Sequence, residues 1–165
     1  VPERQVLGWF QPPKRPDDFT PERFPVFVTE SDDGAEYYGF PRYDRPGVKV
    51  GLYHHLYETV DPDSVAGPTR EDEAALRDLL RDHFPAADGP TMGLSTCMFT
   101  NSSDMDFVVD TLPDRENVVV AAGFSGHGFK FASAVGEALA DLAVHGETEL
   151  AVDGFAVDRE AIRSA

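Results

Sequence analysis

The chain has 165 residues, 41% apolar and 11% aromatic: room for one ordinary domain or two small pieces, and enough apolar matter to exclude both wholesale disorder and a multidomain machine. Thirty Asp and Glu against 14 Lys and Arg leave a formal charge of −16, which repels phosphate backbones and anionic lipid and excludes nucleic acid and membrane surfaces as partners. No apolar run approaches the roughly 18 residues of a membrane span and no basic segment leads into an apolar leader, so the expectation is an intracellular, cytoplasmic protein.

In chain order, residues 5–10 form a short β-type run ended by Pro12 and Pro13. Residues 24–30 and 35–40 are two further runs joined by Ser31-Asp32-Asp33-Gly34, whose Asp-Gly suits a hairpin turn. Residues 47–53 alternate as a fourth strand, which turns Lys49 away from Val48 and Val50. Thr69 and Asp72 suggest a capping box, and Leu76, Leu79, Leu80 and Phe84 repeat at helical spacing until Pro85, so this helix covers a sheet. Residues 94–100 and 106–110 read as strands, with a polar connection running from Pro113 to Asn117. The run 118–122 is continuously apolar, as in a parallel sheet buried on both faces. The glycine turn 123–130 and a small-residue helix to about His145 follow.

The fold class is therefore α+β: a mostly antiparallel sheet with a covering helix, then a strand-turn-helix from an α/β layer. One strand and one helix cannot build such a layer alone, so the last piece is expected to dock into a sheet built elsewhere. A start at Val1 without methionine agrees with an excised or processed segment. Only Lys14, Lys49 and Lys130 are lysines, beside 11 Arg and 18 Asp, a balance that suits high salt or a high-GC genome and makes a buried lysine conspicuous. Cys97 stands alone, which excludes an intrachain disulfide and agrees with a reducing compartment.

The glycine turn invites a phosphate cradle, but Gly123, Gly126 and Gly128 do not make G-x-G-x-x-G and Lys130 is not placed as in a Walker loop. Ser125 sits where a hydrolase nucleophile elbow has its serine, yet His127 stands where the motif has glycine. Close helix–strand packing would explain the glycines, although Phe124, His127, Phe129 and Lys130 are bulky for a purely structural link. His54 and His55 would point to opposite faces of a strand, and the metal-binding spacings are absent, so no metal is expected. Cys97 among Thr96, Met98 and Phe99 reads, by itself, as a small core residue.

Taken together, Tyr37-Tyr38-Gly39-Phe40-Pro41, Gly47-Val48-Lys49-Val50-Gly51 with Tyr53-His54, Asp61-Pro62-Asp63, Cys97-Met98-Phe99-Thr100 and Asn117–Ser133 resemble the flavin-dependent amine oxidases of the monomeric sarcosine oxidase and N-methyltryptophan oxidase family. Order and approximate spacing hold over nearly the whole chain. The resemblance implies the C-terminal part of such an enzyme: residues 1–104 from the substrate domain and 105–165 from a Rossmann-like FAD domain.

The resemblance also implies roles. Cys97 would carry FAD through a thioether, with nearby positive charge favouring its thiolate, and Met98 would adjoin the cofactor. Lys49 would supply the cation for oxygen activation, Lys130 would pair with the substrate carboxylate, and His54 would be the active-site histidine. The backbone of Gly126, His127 and Gly128 would face the flavin, with Lys130 also among the cofactor-binding residues, while Tyr38 and Phe99 would line the substrate. The implied reaction takes a secondary or N-methyl amino acid to an imine and O2 to H2O2.

There are departures. Phe99 replaces a tyrosine of sarcosine-oxidising relatives. Leu52 looks inserted before Tyr53-His54, which leaves His54 and His55 both open as the active-site histidine. The FAD-binding glycine fingerprint and the arginine that partners Lys130 are absent, so this chain alone is expected to bind FAD poorly and be inactive without the missing N-terminal FAD-binding part. The competing reading is a non-catalytic assembly module completed by a separate FAD-binding chain.

Overall fold

A computed structural model describes residues 1–163. The chain divides into two units, one of Glu3–Met98 and one of Val1–Pro2 with Phe99 onward; the sequence placed this break after residue 104. The observed class is α+β with antiparallel pairing.

The first unit is built on a five-stranded sheet in the order β2-β3-β4-β1-β5, where β1 is Pro2–Phe10, β2 Phe27–Glu30, β3 Glu36–Phe40, β4 Val48–Leu52 and β5 Thr91–Thr100. The expected hairpin joins β2 to β3, with Ser31 N–H and Gly34 (φ 84) closing its turn. Residues 24–26 stay out of β2. Pro25 has no N–H for a ladder, and the Phe24 ring instead packs 5.1–5.7 Å from Phe19, Phe27 and Phe84.

The alternation read in 47–53 holds: Val48 and Val50 are fully buried while Lys49 lies on the opposite face. Helix α1 (Arg70–His83) covers the buried face, laying Leu76, Leu79 and Leu80 on Val6, Phe10, Val48 and Val50. Each such leucine contributes about 1.5–3 kcal/mol by leaving water. Its capping box forms as expected, with Asp72 N–H donating to Thr69 and Thr69 N–H to Asp72.

Asp72 does more than cap. Its carboxylate receives both terminal nitrogens of Arg4 at 2.9 and 2.7 Å and His55 Nε2 at 2.8 Å, and all three side chains are at most 2% exposed. The three join β1, the segment after β4 and the start of α1 in one buried polar node.

In the second unit, β6 (Val108–Leu112) and β7 (Arg115–Ala122) form an antiparallel hairpin under α2 (Ala132–His145), with Phe107, Val109 and Ala138 at the centre. The stretch read as a polar connection is thus a two-residue turn at Pro113-Asp114, and β7 starts at Arg115. So short a link permits only antiparallel pairing of these strands, since a parallel crossover needs a dozen or more residues. Within this chain Val118–Val120 are half-buried. The C-terminal segment, with the short helix α3 (Glu160–Arg163), was not foreseen. It is held by Arg159, whose guanidinium donates twice to Asp104 at 2.7 and 2.8 Å. No described helix is long and apolar enough to cross a membrane.

Candidate active site

Each unit carries some of the residues singled out by sequence. In the first, pairing of β4 with β1 and β3 sets Lys49 beside Trp9 and Phe40. Its ammonium lies 4.8 Å from the Phe40 ring, 5.8 Å from Tyr38 and 6.0 Å from Trp9, within reach of cation–π attraction. Burial among these rings lowers the Lys49 pKa, partly offset by Cys97. Tyr38 is pushed up to about 12, chiefly by burial, with Cys97 and Tyr53 adding to the rise. Gly51 makes room for it: a Cβ there would stand 2.2 Å from the Tyr38 ring.

Cys97, on β5, is an exposed free thiol rather than a small buried core residue. Protein crowding on its inner side pushes its pKa up, and Lys49 pulls it partly back down. The expected positive charge is therefore present, but desolvation outweighs it. Met98 is 40% exposed beside it.

The two histidines are not on a strand. β4 ends at Leu52, and His54 takes a left-handed backbone (φ 53) ahead of a 3-10 turn at His55–Tyr57. His55 is wholly buried on Asp72. His54 is half-buried, its Nδ1 3.0 and 3.1 Å from the two oxygens of Glu3. The structure thus separates a core histidine from one on the surface of the unit.

In the second unit the glycine turn runs from β7 into a 3-10 turn at Phe129–Phe131 and then α2. Gly126 is left-handed (φ 78), and a Cβ on it would stand 2.5 Å from the Phe99 ring, so only glycine fits there. A Cβ on Gly128 would meet Phe124 at 2.5 Å. The His127 side chain is turned inward, donating from Nε2 to the Met105 carbonyl at 3.1 Å and packing 4.8 Å from Phe107, and its backbone N–H donates to the Phe124 carbonyl at 3.0 Å.

Ser125 is buried, donating to the Gly123 carbonyl and accepting the Ser102 N–H; these bonds tie down the turn, and the hydroxyl has the surroundings of a structural group. Lys130 is exposed, its ammonium 5.3 Å from the Phe131 ring. An apolar cavity of about 250 Å³ lined by Phe107, Val109, Phe131 and Phe155 holds none of the expected site residues. Among the described residues no group of His, Cys, Asp and Glu is arranged to hold a metal.

Sequence reasoning missed Trp9, Phe40 and Glu3 as neighbours of the site. The period-2 pattern of β1 puts Glu3 and Trp9 on one face, but only the strand order brings that face to Lys49 and His54.

The family model for FAD dependent oxidoreductases matches residues 1–142. The chain belongs to this family.

Among FAD-dependent oxidoreductases, the monomeric sarcosine oxidase of Bacillus sp. (strain NS-129) is 42% identical over 98% of this chain and 42% of its own length. The N-methyl-L-tryptophan oxidase of Salmonella newport (strain SL254) is 38% identical over 87% of this chain and 38% of its own length. The chain therefore spans about two-fifths of the curated relatives it matches. In fold it is similar to Amadoriase I of Aspergillus fumigatus, a fructosyl amine:oxygen oxidoreductase, with a TM-score of 0.75 at 22% identity over 99% of this chain and 39% of that one. It is also similar to L-proline dehydrogenase of P. horikoshii, with a TM-score of 0.73 at 23% identity over 99% of this chain and 40% of that one.

Proposed function

We propose that this chain is part of an FAD-dependent oxidase acting on a secondary or N-methyl amino acid, of sarcosine-like or N-methyltryptophan-like type, with O2 as electron acceptor. The observation that carries the reading is Lys49: a lysine in an acidic chain, held among three aromatic rings and electrostatically coupled to an exposed free thiol. In this reading residues 1–104 belong to the substrate domain and 105–165 to a Rossmann-like FAD domain completed by residues outside this chain.

The residues fit a flavin. Cys97 offers an accessible thiol for covalent attachment beside Met98, and Gly126 and Gly128, flanking His127, lie in a turn where side chains are excluded by contact with Phe99 and Phe124. When bound, FAD supplies the chemistry of accepting a hydride equivalent from the carbon beside the amine nitrogen.

The chain's own residues do the rest. Lys49 holds a fixed positive charge that favours negative charge developing on dioxygen, and its aromatic neighbours limit water around it. In this reading Lys130 pairs with the substrate carboxylate, His54 hydrogen-bonds the amine, and Tyr38 and Phe99 are the aromatic residues that meet the substrate. Phenylalanine at position 99 brings no hydroxyl to the substrate, which favours amino acids with an apolar side chain over sarcosine.

The test is peroxide release by the protein expressed from its whole reading frame, across a panel of N-methyl and cyclic amino acids. Peroxide with at least one secondary amino acid, and little with the matching primary one, is expected. A flavin-loaded protein that releases none across the panel would overturn the reading.

A further inference from the structure

The segment after β4 is strained. His54, Leu56 and Tyr57 take left-handed backbone at φ 53, 54 and 50, a conformation that persists in residues with side chains only where the surroundings enforce it. Three consecutive residues of β1 contact the segment. On one face, Arg4 holds Asp72, which holds His55. On the other, buried Gln5 accepts the His55 N–H at 3.1 Å and donates to Glu3 Oε1 at 2.7 Å. Glu3 in turn places its two carboxylate oxygens almost equally, 3.0 and 3.1 Å, from His54 Nδ1. The His54 ring is stacked on Tyr57 at 5.7 Å and meets Tyr53 edge-on at 4.7 Å. It lines a cleft of about 290 Å³ with Glu36, Leu52 and Leu56.

We propose that Glu3 is a positioning residue for His54, holding the imidazole as the Nδ1–H tautomer and leaving Nε2 as its hydrogen-bond acceptor. An ionised carboxylate has no proton to give, so its contact with Nδ1 requires the hydrogen on that nitrogen, and the bond made by one ring nitrogen decides the character of the other. Glu3 and His54 are only 11% and 21% exposed, so water competes weakly for this contact. Resting on the oxidase reading, the consequence concerns substrate class: an acceptor at Nε2 suits an amine that still carries N–H, and gives nothing to a tertiary amine lacking one.

The test is nitrogen-15 NMR of the imidazoles in this chain at a pH where they are neutral. His54 should show the Nδ1–H pattern, with His55 as an internal contrast in the Nε2–H form because its Nε2 faces Asp72. Glu3→Ala should make Nε2–H the major form of His54 and leave His55 unchanged. A wild-type His54 in the Nε2–H form overturns the proposal, whether or not the variant folds, and so does a folded variant that keeps Nδ1–H. The result is separable from catalysis. A protein that yields no peroxide but shows Nδ1–H at His54 overturns the oxidase reading and upholds the Glu3 contact; one that oxidises amines with His54 as Nε2–H does the reverse.

Discussion

Replacing Asp72 by asparagine tests the node that fixes both the start of α1 and the segment bearing the histidines. The substitution preserves shape but removes the charge facing Arg4, which is 2% exposed and would keep only Glu58, itself 46% exposed, and the carbonyls of Ala66 and Gly67. It also turns an amide donor toward groups that are themselves donors. Breaking one partner of a buried pair costs about 3–5 kcal/mol, a large share of the roughly 5–15 kcal/mol that holds a domain together. At about 4 °C per kcal/mol the melting point should fall by some 12 °C or more. Trp9, the one tryptophan, lies in the same unit and reports urea unfolding by fluorescence. The double variant Arg4→Met with Asp72→Asn should recover part of the loss, because no orphaned guanidinium remains while the asparagine oxygen can still accept the Thr69 N–H or the His55 ring N–H.

The pH dependence follows from the same contacts. The Arg4 guanidinium foremost, with Thr69 and His55, holds Asp72 well below the usual carboxylate range. A folded pKa below the unfolded value of about 3.9 gives stability that is present above that value and lost as pH falls through the folded one. The wild type should therefore weaken between about pH 5 and pH 2 more steeply than Asp72→Asn. A loss under about 1 kcal/mol for the single variant, or a double variant no better than it, would refute the reasoning.

Three further outcomes are expected. Cys97, exposed but with its pKa raised by partial desolvation, should react with iodoacetamide at neutral pH more slowly than free cysteine, and Lys49→Met should slow it further by removing the charge that lowers it; intact-mass kinetics showing no change in the variant would count against their interaction. In the flavin-loaded protein, Lys49→Met should slow reoxidation by O2 far more than anaerobic reduction by substrate, and equal slowing in stopped flow would remove it from the oxygen step. Lys130→Ala should raise substrate Kd by about 10- to 150-fold, the equivalent of a lost charge-assisted hydrogen bond of roughly 1.5–3 kcal/mol, and an unchanged Kd would take it off the carboxylate.

What could be read from the sequence was local. Alternation at 47–53 and the Thr69–Asp72 capping box involve neighbours along the chain, and both appear in the fold. Lys49 facing away from Val48 and Val50 followed from the strand period alone. The rings around it did not, because Trp9 is 40 positions distant and arrives through strand order. His54 and His55 were misplaced on a strand because nothing local signals that β4 stops at Leu52, where contacts from Glu3, Gln5 and Asp72 outweigh the strain of left-handed backbone. Arg4 reads as an exposed residue until a carboxylate 68 positions away pairs with it.

The central claim, a flavin oxidase whose cofactor is anchored beside Lys49, is tested most directly on the peptide containing Cys97. After expression of the whole reading frame, denaturation and proteolysis, that peptide should carry the mass and absorbance of a flavin, and Cys97→Ser should abolish both. Flavin released by acid from a protein whose Cys97 peptide has its unmodified mass would contradict the account.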